Sequence, residues 1–581
     1  MFAVTIRQSS SGNLWESAIA LARVVECCLF RLEPPYMVVK LHFDLAPAQL
    51  PRLRRTDVIR RYSQGPSTTT RQRIVHFDTS ALDLHRRGVA LVLRSQNSVW
   101  TQEIRHTDYD AEDTSEPPRH EWQVPESVLD LSLLRRTSFA GLLKKKHVRR
   151  SLVPIFSMRF SHTVLPLSLG DDCKATLHTD IGETTAGSRK QQVCKARLEL
   201  ESGDPTRLFA VALDLLRSIP MRLSNRTMEE RGYLLVLGTA EKPRKADRTD
   251  LPRHMTRVEA ERLIAASCLA QIQSNEAGFL DHPDPEYLHQ LRIGWRRLRS
   301  AASMPDSALW NELPKLLVLE LRWIWGLLGT ARDWDVFVDE FLPAMIRAAA
   351  TSGHRANAFT MFQAHCDRMR KLHVEAARGA IRSPRYQRLL LNMAWIVMDS
   401  HAAADPQDEL APSYTVQEFA REALIRHGRK LRKRMHPQSL ASMAQRHRAR
   451  IAAKRLRYAC DFFHNLFPGK PTRRYLARLE TMLDALGHLN DLANCSTLID
   501  QTSTSKERLL GPAAMDLVHR WLRAEESKTL SRLEKARRSF AEHTVFWAPD
   551  GRTVPDQPFS NGQRLRDRRE DETRIRNRPN T

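Results

Sequence analysis

Two segments of the chain set a histidine and four basic residues at identical offsets. His289, Arg292, Arg296, Arg297 and Arg299 lie in HQLRIGWRRLR; His447, Arg450, Lys454, Arg455 and Arg457 lie in HRARIAAKRLR. The offsets are 0, +3, +7, +8 and +10, and the two sets stand 158 residues apart. Gly329 in LLGTARDWD and Gly487 in ALGHLND keep that separation, so the pattern reads as an internal duplication. At 100° per residue, offsets +3, +7 and +10 fall within roughly 80° of the histidine, on one side of a helix. Such a stripe suits a polyanion, because guanidinium groups stay charged and fork onto phosphate oxygens. No nucleophile or paired carboxylate stands near either histidine in sequence. His289 and His447 are therefore expected to donate hydrogen bonds to phosphate, not to act as general bases.

A third basic run, IRHGRKLRKR, adds Arg426, Arg429, Lys430, Arg432, Lys433 and Arg434. Residues three and four apart share a helix face, which groups Arg426, Arg429 and Lys433; Arg429 and Lys433 join the candidate anion ligands. Like charges at that spacing cost an isolated helix roughly 0.2–0.5 kcal/mol per pair, a strain that a bound anion relieves. Asp333 and Asp491 are the matching acids of the two repeats, expected to accept hydrogen bonds from a nearby cation and fix its orientation.

The elements that must carry these residues are long amphipathic helices with few Gly or Pro, from about 256 to 543. Before them, a polar proline-bearing stretch at 238–255 reads as a linker. Residues 36–237 read as β-rich, with short alternating runs such as VVKLHF, VALVLRS and VWTQEIR. In KARLELES, period two puts Lys195, Arg197, Glu199 and Glu201 on one side and Ala196, Leu198 and Leu200 on the other. Residues 1–35 form an extension without an assigned role, and 546–581, polar and poor in apolar anchors, read as a disordered tail.

With 581 residues the chain is too long for one core. Its 91 basic against 67 acidic residues give a net charge of +24, which attracts polyphosphate, nucleic acid or an anionic membrane alike. The eight cysteines lack the paired spacing of a zinc site and the density of a disulfide scaffold. The most apolar stretch, LLVLELRWIWGLLG, contains Glu320 and Arg322, so no membrane span is expected; nor is a signal peptide. The expected location is the cytoplasm, polyphosphate granules included.

EYLHQLRIGWRRLRSA, LGTARDWDV, SPRYQRLL and RHRARIAAKRLRYACDFF, in that order, resemble the CHAD family over about residues 256–540. HFDTSALDLHRRGVALVLR, WTQEIR, EWQVP, ARLELESGDPTRLFAVAL and EERGYLL resemble CYTH domains of the triphosphate tunnel metalloenzymes. Together the resemblances imply an α+β multidomain chain, in which an N-terminal antiparallel β-barrel, or tunnel, precedes an all-α bundle of two pseudo-symmetric halves. The CHAD resemblance implies a basic surface that binds inorganic polyphosphate. The CYTH resemblance implies tunnel phosphate ligands at Lys40, Arg94, Arg105, Arg159 and Arg231, and a remnant metal ligand at Glu199. The family's metal-holding acids are replaced: its ExExK strand aligns with Tyr36, Val38 and Lys40, and its later acidic strand with Lys195, Arg197 and Glu199. A family lysine aligns with Met228 and a family arginine with Val92.

The reading is therefore a polyphosphate or tripolyphosphate binder whose barrel has lost most metal-binding acids. Binding needs no cofactor, and Mg²⁺ is required only if the barrel is active. The alternatives are a Mg²⁺-dependent inorganic triphosphatase and a nucleic-acid binder. A purely structural alternative for the barrel is that its cations pair with Glu199, Asp180 or Glu201.

Overall fold

The computed structural model describes residues 39–107, 119–143, 146–170, 172–238, 241–304, 307, 310, 313–351, 359–398, 415–503, 510–541 and 545–547. The expected N-terminal extension, Tyr36, Val38 and most of the expected tail lie outside these residues. Phe546 and Trp547, assigned to the tail from sequence, are instead packed. Trp547 is buried against Tyr475, ring centres 5.1 Å apart, and a Cβ on Gly428 would meet its ring at 2.8 Å. Two aromatic anchors outweigh the polar sequence that follows them. The chain divides into two compact units, Met1–Phe419 with Asp491–Arg523, and Ala420–Asn490 with Ala524–Thr581.

The first unit opens with strands β1 (Lys40–Leu45), β2 (Thr68–Asp78), β3 (Val89–Gln96), β4 (Val99–His106), β5 (Arg119–Val124), β6 (Val153–Ser168), β7 (Lys174–Ala186), β8 (Arg189–Ser202) and β9 (Met221–Leu223). Short helices α1 (Leu50–Arg54), α2 (Asp57–Tyr62), α3 (Ala140–Leu143) and α4 (Lys146–Arg150) interrupt them. Helices α5 (Pro205–Ser218) and α6 (Met228–Leu237) flank β9. All pairings are antiparallel, in the order β5-β4-β3-β2-β6-β7-β8-β1-β9. Among the described residues β5 and β9 do not pair with each other, so the ladder is open where a closed barrel was expected. At the β9 edge the Leu223 amide donates to the side chain of Gln387 (2.8 Å), a helical residue in the place of a strand.

The open sheet nevertheless curls. Arg105 of β4 pairs with Glu229 of α6, and Asp44 of β1 pairs with Arg231, two residues further on. In a flat sheet β4 and β1 would stand six strand spacings, about 29 Å, apart. One helical turn can touch both only if the sheet wraps around α6.

The helices follow as α7 (Arg257–Asp281), α8 (Pro285–Ala301), α9 (Lys315–Val336), α10 (Leu342–Thr351), α11 (Thr360–Arg382), α12 (Pro384–Met398), α13 (Val416–Arg434), α14 (Met443–Phe462), α15 (Lys470–Ser503) and α16 (Pro512–Ala541). Their starts are written in the sequence. Thr256 and Glu259 form a reciprocal capping box on α7; Thr415 with Glu418 repeats it on α13, and Ser442 with Gln445 on α14. Asp284 caps α8, with Pro285 in its first turn. Thr256 and Thr415, corresponding first caps, meet in an isolated antiparallel bridge, the geometry of a local two-fold. The apolar side of α8 buries Leu288, Leu291, Trp295 and Leu298. It comes so close to α7 that a Cβ on Gly294 would meet Ile272 at 2.7 Å.

Candidate anion-binding site

The first basic stripe lies along α8 in the first unit. His289, Arg292 and Arg296 are half-buried on one side of the helix, facing α9. Arg292 donates to the Gly329 carbonyl (3.2 Å) and stands 3.6 Å from Asp333, the orienting acid that the sequence suggests. Burial raises the pKa of Asp333 and Arg292 lowers it; Asp491, its counterpart in the other repeat, raises it further, so the matching acids lie near one another. His289 departs from its expected role as a protonated donor. Burial, then Arg332, lower its pKa to about 4; Glu286 pulls the other way, and Arg296 and Arg292 add smaller downward contributions. Without an anion the ring is neutral.

Two members of the stencil leave the stripe. Arg297 is buried and donates to Gln271 of α7 (2.9 Å). Offset +8 falls about 80° from the histidine on the flank opposite offsets +3, +7 and +10, the flank that packs on α7. Arg299 is exposed and its guanidinium lies over the Trp325 ring, 5.0 Å from its centre.

The second stripe lies along α14 in the second unit, with His447 exposed and Arg450 and Lys454 half-buried. His447 Nδ1 donates to Asn490 Oδ1 (2.8 Å). Asn490 stands 158 residues after Arg332, so one histidine faces an amide where the other faces a guanidinium. Arg457, expected to bind phosphate, is held by Glu480 (2.7 Å) and by Asp461. Arg455, at offset +8, turns toward α13. There the sequence grouping is corrected. Arg426, Lys430 and Arg434, at i, i+4 and i+8, are the cations that meet Arg455; Arg429 is half-buried on the adjacent side and Lys433 is exposed. The buried His427 between them is pushed down to about 4 by burial, Arg455, Lys430 and Arg426. Burial and the neighbouring arginines also lower the pKa of Lys430. Among the described residues no carboxylate pairs with Arg426, Lys430, Arg434 or Arg455.

The glycines of the two repeats sit mid-helix, where glycine costs about 1 kcal/mol against alanine. A Cβ at Gly329 or Gly487 would meet nothing within 4 Å. Crowding does not require them; they keep the helix wall bare, in the first repeat at the very carbonyl that receives Arg292.

The concave face of the sheet is built differently. Alternation delivers Lys195, Arg197, Glu199 and Glu201 to it, while Ala196, Leu198 and Leu200 are buried behind, as KARLELES implies. Here each cation expected to hold phosphate, Arg159 apart, has an acid. Lys40 (3.6 Å), Arg197 (3.2 Å) and His178 (3.6 Å) surround Glu199. Arg94 (3.6 Å), Arg105 (2.9 Å) and Arg119 (3.4 Å) surround the buried Glu103. Arg231 and Arg222 share Asp44, and Lys195 donates to the Arg226 carbonyl. Arg159 is exposed on the other face of β6 from His162, because the two differ by an odd number of residues. One end of the concave face is apolar: Val92 and Met228, which stand where the CYTH resemblance implies arginine and lysine, pack with Phe156, Met158 and Tyr233. His76 is buried there, stacked 4.3 Å from Phe156, and burial takes its pKa to about 3.

This lining does not fit Mg²⁺. Glu199, the expected remnant ligand, already has two cationic neighbours, Lys40 and Arg197, and Asp44 and Glu103 are likewise saturated. Among the described residues no group of three or more His, Cys, Asp or Glu side chains is arranged around a metal position. No helix is long and apolar enough to cross a membrane. What sequence reasoning missed are the partners: Asp44 lies outside every quoted motif, and Glu103, Glu229 and Asn490 lie inside WTQEIR, EERGYLL and ALGHLND with nothing local to mark what they pair with, although the i, i+4, i+8 spacing of Arg426, Lys430 and Arg434 is plain in the sequence.

The chain is similar to the CHAD domain from the plant Ricinus communis, at 30% identity over 52% of this chain and 98% of that one, TM-score 0.45. It is also similar to a Hippeastrum protein described as an adenylyl cyclase with a dominant triphosphatase activity (18% identity, 35% and 97% covered, TM-score 0.24). A third is PptA from Streptomyces chartreusis (16% identity, 50% and 99% covered, TM-score 0.36). No curated protein matches. The family model for the CHAD domain matches residues 263–500. Over that stretch the chain belongs to the CHAD family.

Proposed function

We propose that the chain binds inorganic polyphosphate, or its short form tripolyphosphate, through the cations of its helical region. The observation that carries this reading is the cluster Arg426, Lys430, Arg434 and Arg455. Four cations converge there, and among the described residues no carboxylate offsets them. Like charges held together in a folded protein are a standing cost that a polyanion removes. The stripes His289–Arg292–Arg296 on α8 and His447–Arg450–Lys454 on α14 add further cationic surface. The CHAD resemblance favours a phosphate chain over other polyanions. Neither stripe interleaves the aromatic side chains on which nucleic-acid bases would stack.

The sheet supports this reading by contrast. Its cations, Arg159 apart, are committed to acids and its lining does not fit Mg²⁺, so we derive no hydrolytic step there and read it as a CYTH-like fold whose charges are balanced internally.

Calorimetric titration of the full chain with long-chain polyphosphate tests the proposal. Replacing Arg426, Lys430, Arg434 and Arg455 together by alanine removes several charge-assisted hydrogen bonds of about 1.5–3 kcal/mol each, so affinity should fall by about 100-fold or more. The slope of log K against log salt should also flatten by about 0.7–0.9 for each phosphate that is no longer neutralised. Unchanged affinity in that variant sinks the proposal. Displacement of polyphosphate by duplex DNA or RNA at equal phosphate concentration transfers the site to nucleic acid.

A further inference from the structure

On the concave face of the sheet, His162 of β6 and His178 of β7 face each other. Their ring centres are 5.4 Å apart and the rings are 26° from parallel. His162 Nδ1 is 2.6 Å from Asp180 Oδ1, and His178 Nε2 is 3.6 Å from Glu199 Oε2. An ionised carboxylate only accepts, so Asp180 holds a proton on His162 Nδ1 and Glu199 favours one on His178 Nε2. In neutral rings this leaves Nε2 of His162 and Nδ1 of His178 as bare acceptors, and those two nitrogens are 3.5 Å apart. Two lone pairs turned on each other call for a positive charge between them.

We propose that this position takes a borderline transition-metal ion of the Zn²⁺ class, with His162 Nε2 and His178 Nδ1 as its protein ligands. At a Zn–N length of about 2.05 Å, a 3.5 Å separation of the nitrogens subtends about 117°, close to the tetrahedral angle. A carboxylate hydrogen-bonded to the outer nitrogen, as Asp180 is to His162, fixes the tautomer and aims the inner lone pair in metal-binding histidines; Glu199 lies further off, 3.6 Å from the outer nitrogen of His178. Lys40 and Arg197 lie against Glu199 and keep it an orienting group, which leaves the remaining coordination positions to water. The donor set also separates this site from the Mg²⁺ site that the lining does not fit. Mg²⁺ requires oxygen ligands, whereas imidazole nitrogen suits Zn²⁺, Ni²⁺ and Cu²⁺. The rival occupant is a single proton, making His162 an imidazolium that donates to His178.

Full-length protein freed of metal by a chelator would be titrated calorimetrically with ZnCl₂ at pH 7.5, beside His162→Ala, His178→Ala and Asp180→Asn. One equivalent of Zn²⁺ should bind the wild type and be lost in both histidine variants. Asp180→Asn should keep that equivalent at about 10- to 100-fold weaker affinity. Thermal unfolding accompanies each titration: Zn²⁺ should raise the midpoint of the wild type and not that of the histidine variants. If alanine at His178 prevents folding, His178→Gln replaces it. Equal Zn²⁺ stoichiometry in wild type and histidine variants, or no uptake by the wild type, overturns the assignment in favour of the shared proton. Polyphosphate affinity resides on the helices and serves as a separate readout, so failure here leaves the proposed function standing.

Discussion

The concave face of the sheet and the α13–α14 pair are both rich in cations, and they treat those cations in opposite ways. On the sheet, Glu199, Glu103 and Asp44 each gather two or three basic groups within 3.7 Å, and Glu103 is buried. On α13 and α14, Arg426, Lys430, Arg434 and Arg455 approach one another, and among the described residues no acid intervenes. A count of basic residues cannot separate the two. The difference lies in what the fold does to charge: the first arrangement is complete without a ligand, and the second is incomplete. Cation density therefore predicts an anion site only where counter-ions are missing. On that criterion the helices of the CHAD stretch, not the sheet, are where the proposed polyanion site belongs.

The largest test of this contrast removes an acid from the sheet. Asp44→Ala leaves Arg231 and Arg222 without their shared carboxylate in a poorly solvated place, where breaking a buried pair costs about 3–5 kcal/mol. Urea denaturation should show that loss, while polyphosphate affinity stays within twofold of wild type. A large fall in affinity with full stability would reverse the roles assigned to the two regions.

The next effect concerns the bare wall of the helical site. Gly329→Ala should raise stability by about 1 kcal/mol, since nothing lies within 4 Å of the added Cβ. Gly329→Leu should weaken polyphosphate binding by filling space beside the carbonyl that receives Arg292. If the leucine variant binds as tightly as wild type, the open space is not part of the site.

Smaller still is the relief of repulsion. Lys430→Gln takes away one of the uncompensated charges on α13, at roughly 0.2–0.5 kcal/mol per like-charge pair. The free protein should melt slightly higher and bind polyphosphate less tightly. Stability and affinity moving in opposite directions is the signature of a ligand-completed site; a lower melting point would show that Lys430 already has a stabilising partner.

How much of this arrangement could be read in the sequence follows from the range of the interactions. Period-two alternation over residues 195–201 and the offsets +3 and +7 on the helices are local and translate directly into shared faces. Offset +8 misled, because Arg297 and Arg455 share the spacing of the stripe and not its direction; only the packing of α7 and α13 reveals which flank is covered. The ion pairs of the sheet join residues as distant as Arg231 and Asp44, so no spacing rule finds them without the strand register. Closure of the sheet is equally non-local: among the described residues β5 and β9 do not pair, and the side chain of Gln387, far along the chain, accepts from the Leu223 amide at the edge of β9. Composition averages over a window, so a single buried indole such as Trp547 does not register in it.

The finest test lies between the two stripes themselves. His289 faces Arg332, and its pKa lies near 4, well below the usual 6.5. The fold therefore favours the neutral ring. The stability due to this group is fully present above pH 6.5 and is lost as pH falls toward 4. A phosphate chain beside His289 reverses that preference, so polyphosphate binding should take up protons between pH 4 and 6.5 and tighten as pH falls through the window. Titrations in buffers of different ionisation enthalpy at pH 5.5 measure the uptake. Arg332→Asn gives His289 the neighbour that His447 has in Asn490. Its pKa should rise yet stay below 6.5, since burial is the larger cause and remains. The ring signal, identified by its loss in His289→Asn, reports this in an NMR pH titration, and proton uptake on binding should shrink with it. A midpoint that does not move would mean that burial alone keeps the ring neutral, and that Arg332 and Asn490 differ without consequence for the two histidines.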